Sequence, residues 1–171
     1  MQIVSWLQST LTFTWLHTTL SLIALFSGFV VMRDLLKSSA PDAWTTTFLV
    51  SSIATSATGF GFPFTKFLPS HGVGVVSLLV LALALIAAYG FSNKGAWRVV
   101  YAICLVVAQF FNVFVAIAQS FAKVPDLRAL APTQSEPPFA IAEGVALLVF
   151  VALAIAAGRN YRYEPMMTKA A

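Results

Sequence analysis

Charge is scarce in this sequence. Of its 171 residues only 9% are Asp, Glu, Lys or Arg, whereas 59% are hydrophobic. A soluble globular domain carries roughly 25% charged residues, so these few could not cover a water-exposed surface of this size. Cysteine is almost absent. Cys104 stands alone, which excludes an intrachain disulfide and leaves the redox compartment unread. The ten Lys and Arg are spread over connections, without a basic stripe interleaved with aromatics, so the net charge of +4 gives no nucleic-acid signal.

Other absences narrow the function. There is no CxxCH, HxxxH or HExxH, so no haem or metal motif is spelled out. No nucleophile–base pair can be assigned among the serines, which leaves a hydrolase without support. No internal repeat is evident, which weighs against a transporter built from inverted repeats. Residues 1–16 contain no Lys or Arg. Without that positive region the first apolar stretch reads as a retained helix rather than a signal peptide.

What is present is a series of long apolar runs, the signature of lipid as solvent. Spans are expected over 11–32, 44–62, 71–91, 96–121 and 139–158. Each approaches the ~20 residues that cross a hydrocarbon core. The chain therefore reads as a single all-α integral membrane bundle of about five transmembrane helices. The breaks have local causes. Arg33, Asp34 and Lys37 close the first run, and Pro63, Lys66 and Pro69 interrupt after the second. Ser92-Asn93-Lys94-Gly95 forms a turn, and four prolines punctuate 122–138. That last segment is the longest connection, with one short amphipathic turn expected near Pro125.

The second run is the least apolar, being rich in Ser and Thr, but charge placement favours counting it. With five spans, Arg33, Lys37, Lys94, Arg98, Arg159, Arg162 and Lys169 fall on one side, and Lys66, Lys123 and Arg128 on the other. Without it the division becomes five against five. Positive charge marks the cytoplasmic side, so an N-out, C-in orientation is expected.

Polar residues repeat at helical spacing. Thr10, Thr14, His17, Ser21, Ala24 and Gly28 share an arc of about 80° on the first helix, as do Tyr101, Gln109, Asn112, Ala116, Gln119 and Lys123 on the fourth. Ser52, Ser56 and Gly59 mark such a face on the second. These faces should point inward, because polar groups are unfavourable in hydrocarbon without partners. Ser, Thr, Asn and Gln commonly hold membrane helices together, at roughly 0.6 kcal/mol per hydrogen bond.

The ionisable residues are His17, His71 and Glu143, all expected in the outer half of the bundle, with Asn112 and Gln119 in support. Two histidines on different helices suit haem, and two histidines with a carboxylate suit a transition metal. Three function classes follow. A non-catalytic accessory or assembly subunit needs the fewest special features. A haem- or metal-binding protein using His17, His71 and Glu143 is the second, and a small transporter or proton conduit the third. The partners expected are the bilayer, further copies of the chain or a membrane complex.

Two stretches carry a resemblance. One is Lys123-Val124-Pro125 with Ala131-Pro132-Thr133-Gln134-Ser135-Glu136-Pro137-Pro138-Phe139. The other is His17-Thr18-Thr19-Leu20-Ser21-Leu22-Ile23-Ala24-Leu25 with Ser27-Gly28. They resemble a group of small multi-pass inner-membrane proteins of bacteria, to which no activity is assigned. The resemblance covers most of the chain and implies a bacterial inner-membrane location, without a role for any residue. A looser likeness to membrane b-type cytochromes rests on the helical histidines alone.

Overall fold

A computed structural model describes residues 2–62 and 69–163; Pro63, Lys66 and Lys169 lie outside the described residues. The described chain is helical: α1 (Gln2–Leu36), α2 (Ala43–Gly59), α3 (Pro69–Leu85), α4 (Ala96–Lys123), α5 (Pro125–Leu130) and α6 (Pro137–Asn160). A π-helical turn, Ile86–Gly90, extends α3. Four of these helices contain stretches long and apolar enough to cross a membrane: Thr10–Leu36, Ser70–Gly90, Ala96–Lys123 and Pro137–Asn160.

Local chemistry sets the ends. Expected from residue 11, α1 instead begins at Gln2, because no Gly or Pro stands in residues 2–10 to stop it. It stops where Ser38 takes a φ of 56° and the Ser39 amide closes on the Asp34 carbonyl at 2.9 Å. Asp42 caps α2, its carboxylate accepting from the Trp44 and Thr45 amides at 2.9 and 3.1 Å. The second helix was expected to reach residue 62. It ends at Gly59, and Gly61 turns back to the Thr58 carbonyl at 2.9 Å. Its 17 residues rise ~25 Å, a little short of the ~30 Å hydrocarbon core. Proline occupies the first turn of both α5 and α6, where its missing N–H costs nothing.

Cross-links between helices show their directions. His17 on α1 meets Thr58 near the end of α2, so α2 runs back along α1. Ser56 on α2 bonds Ser77 on α3 at 3.3 Å, which turns the chain again. Phe121 stacks edge-on with Phe139, Phe110 meets Phe150, and Gly158 lies against Val99 and Ile103, so α6 runs antiparallel to α4. The Arg162 amide donates to the Ser38 hydroxyl at 2.6 Å, which brings the ends of α1 and α6 to one face.

The bundle therefore has two unlike ends. Arg33, Lys37, Lys94, Arg98, Arg159 and Arg162 gather at the basic end, while Lys123 and Arg128 stand at the other with α5. The core is narrow. Phe48, Leu81, Ala102, Leu105 and Val106 are almost wholly buried, but Trp15, Leu79, Tyr89 and Leu148 are 65–80% exposed. An apolar surface of this extent matches a bilayer. Tyr89, Trp97 and Trp44 stand at the basic end, where amphipathic rings suit the headgroup region. Phe91 and Trp97 stack at 3.8 Å, which closes the turn between the π segment and α4.

Candidate functional site

The polar faces meet at the centre of the bundle. Gln109 of α4 is fully buried, and its amide donates to the Leu25 carbonyl of α1 at 2.9 Å. Gly28, one turn further along α1, makes room for this. A β-carbon there would lie 1.9 Å from Gln109 Oε1. Asn112, one turn along α4, donates to Ser52 of α2 at 3.0 Å and approaches Gln109 Oε1 at 3.4 Å. With the Ser56–Ser77 bond, one polar seam ties α1, α2, α3 and α4 together. Asn112 was expected in support of a site; its observed role is this cross-link.

His17 lies half-buried nearer the α5 end of the bundle. Its Nδ1 is 2.8 Å from the Thr58 hydroxyl oxygen. The Thr58 hydroxyl is also 2.7 Å from the Ala54 carbonyl; with its proton donated there, its oxygen accepts and the proton of the His17 contact sits on Nδ1. That leaves Nε2 as the nitrogen with the lone pair. Phe62 packs edge-on against the imidazole at 5.1 Å and against Phe13 at 5.0 Å.

His71 is buried near the start of α3 and faces Phe60 at 5.8 Å. The turn after α2 thus places one phenylalanine against each histidine, Phe62 on His17 and Phe60 on His71. Glu143 sits on α6, between the Phe121–Phe139 and Phe110–Phe150 layers of the α4–α6 seam. Both its carboxylate oxygens are buried, and among the described residues neither has a hydrogen-bond partner.

The expected convergence of His17, His71 and Glu143 does not occur. Among the described residues, no three His, Cys, Asp or Glu side chains form a group able to hold a metal ion. The reason is architectural: His17 is engaged with α2, His71 packs under Phe60, and Glu143 rides on α6, which packs chiefly on α4. Gln119 was expected to support the same site, but its side chain is exposed near the end of α4. The longest connection is more ordered than a plain linker. Gln134 donates to the Ala118 carbonyl at 2.6 Å. The Glu136 carboxylate gathers the Thr133 hydroxyl at 2.8 Å and the Thr133 and Ser135 amides at 3.1–3.3 Å.

Two features were not singled out from sequence. One is the dominance of Gln109, which stood on the polar arc of α4 but carried no charge to mark it. The other is Tyr161, just past α6, which is 1% exposed and 5.9 Å from Tyr101. Burial, with Tyr163 beside it, pushes its phenol above the ordinary tyrosine range. No protein-family model, curated protein or solved structure matches the chain.

Proposed function

We propose that this chain is a multi-pass protein of the bacterial inner membrane, serving as a non-catalytic accessory or assembly subunit with its N-terminus outside and its C-terminus in the cytoplasm. The observation that carries the reading is the seam from Leu25 and Gln109 through Asn112 and Ser52. Gln109, Asn112, Ser52, Ser56 and Ser77, which could have faced a substrate, are spent on other helices. A bundle held this way presents a fixed apolar exterior, which suits packing inside a larger membrane assembly. The orientation is supported by six basic residues at the end where α1 and α6 finish. The inner-membrane location rests on the bacterial resemblance of the 17–28 and 123–139 stretches.

The test is native purification in a mild detergent, with in-membrane cross-linking and stoichiometry by native mass spectrometry. The expected result is a complex of fixed composition whose partner loses assembly when this chain is deleted. A lone chain that drives solute flux across liposomes would overturn the reading in favour of a transporter. For orientation, single cysteines replacing Ser39 and Ser135 in a Cys104→Ser background should react with an impermeant maleimide from opposite sides, Ser135→Cys from outside.

A further inference from the structure

Glu143 is an acidic side chain placed where an ionised carboxylate has nothing to stabilise it. It lies about six residues into α6, or ~9 Å along the helix. Both oxygens are buried and, among the described residues, unpartnered. Aromatic pairs bound it along the seam, Phe121–Phe139 toward the helix start and Phe110–Phe150 beyond. Desolvation without a partner disfavours the charged form of a carboxyl group, and a group in this position keeps its proton instead.

The surrounding charges do not alter this. α6 packs on α4 and, less extensively, on α1. The titratable residues of α4 are Arg98, Tyr101, Cys104 and Lys123. Lys123 is the only one beyond the Phe121–Phe139 layer, and it is exposed. α1 carries His17, committed to Thr58, and Arg33 and Asp34, paired with each other at 2.9 Å at the basic end. On α6 itself Arg159 lies more than four turns away. Glu136, before the helix, is engaged with Thr133.

Hydrocarbon lies close beside the site. A β-carbon added at the neighbouring Gly144 would meet nothing within 4 Å, so one flank of α6 beside Glu143 is uncovered. Ile141, Val145 and Leu148 around it are 55–71% exposed, so that flank faces hydrocarbon.

We propose that Glu143 is a proton-binding site of the bundle, holding a neutral carboxylic acid between α4 and α6. This does not depend on the accessory role. The test exploits a reaction of the protonated form with a lipid-soluble carbodiimide. The carboxyl proton moves to one carbodiimide nitrogen and the carboxylate oxygen bonds to the central carbon. The resulting O-acylisourea rearranges to an N-acylurea, so one reagent molecule is added and nothing leaves.

The experiment uses the full chain in lipid vesicles, with dicyclohexylcarbodiimide as probe and peptide mass spectrometry as readout. The expected result is one adduct at Glu143 at neutral pH, when Asp126 and Glu136 in the same molecules remain unlabelled. Labelling should decline at alkaline pH, as the protonated fraction falls about tenfold per pH unit above a group's pKa. Glu143→Gln should abolish the adduct. Infrared spectroscopy of unreacted vesicles should show a protonated-carboxyl band that shifts in deuterium oxide and is missing in Glu143→Gln. That second readout does not depend on reagent access. The proposal is overturned if Glu143 labels with the pH profile of Asp126, or if the infrared band is absent at neutral pH. Protection by sodium ions at neutral pH would overturn it too, because the site would then take a metal cation.

Discussion

Gly28 and Gln109 interlock: the Gln109 amide occupies the space that any side chain at residue 28 would need, with 1.9 Å left for a β-carbon. In return the amide reaches the α1 backbone at the Leu25 carbonyl. Replacing Gly28 by Ala has two opposing effects. Helix propensity gains about 1 kcal/mol. Overpacking costs about 1–3 kcal/mol, and the displaced Gln109 loses a membrane hydrogen bond of roughly 0.6 kcal/mol. The loss wins, and Gly28→Ala should lower the melting temperature in detergent. A Gln109→Ala change on the same chain should make Gly28→Ala neutral or stabilising, which a double-mutant cycle would reveal.

The Asn112–Ser52 bond should be worth little by itself. A cycle of Asn112→Ala and Ser52→Ala is expected to give a coupling of about 0.6 kcal/mol, the average for membrane helix hydrogen bonds. A coupling of several kcal/mol would mean that the seam acts as one cooperative network.

A Thr58 hydroxyl that donates to the Ala54 carbonyl requires the proton of its other contact on His17 Nδ1. Nitrogen NMR of labelled histidine should find His17 in the Nδ1–H form, the less common tautomer of a free imidazole. Thr58→Val should erase that preference and leave the signal of His71 in place.

Acid should loosen the connection before α6. Desolvation pushes the Glu136 carboxyl up, but hydrogen bonds from the Thr133 hydroxyl and from nearby backbone amides outweigh it and hold the group below the usual carboxylate range. A carboxylate depressed in the folded state stabilises it fully above its unfolded pKa, and that contribution is lost as pH falls through the folded value. The protection of the Thr133 and Ser135 amides against hydrogen exchange, measured relative to the intrinsic rate at each pH, should therefore fall in acid. Glu136→Gln should show the same low protection at neutral pH.

Much of the fold could be read from hydrophobic run length and proline placement, because a bilayer demands ~20 apolar residues per crossing. The third, fourth and last spans fell within two residues of the helix ends found. The end of α2 was misplaced because Phe60 and Phe62 continue the apolar run, whereas the helix stops at Gly59 and the Gly61 amide closes on the Thr58 carbonyl. The polar arcs were legible too, since helical geometry fixes which residues share a face. What the arcs could not say is which facing residue each would meet. Gln109 and Gln119 stand at opposite edges of the α4 arc, and nothing in the arc itself tells that the first is sealed against Gly28 and the second exposed. The three ionisable groups were gathered by depth alone, and depth says nothing of the azimuth that sends His17 toward α2 and Glu143 toward α4.

The division of labour among the helices has a consequence for biosynthesis. The hydrogen bonds of the central seam join α1, α2, α3 and α4, and α6 is laid on α4 through Phe139, Phe150 and Gly158. A chain made from its N-terminus has every partner of that seam in the membrane before α6 leaves the ribosome. α6 is thus an addition to a scaffold already joined, and it carries Glu143 into place after the seam is made.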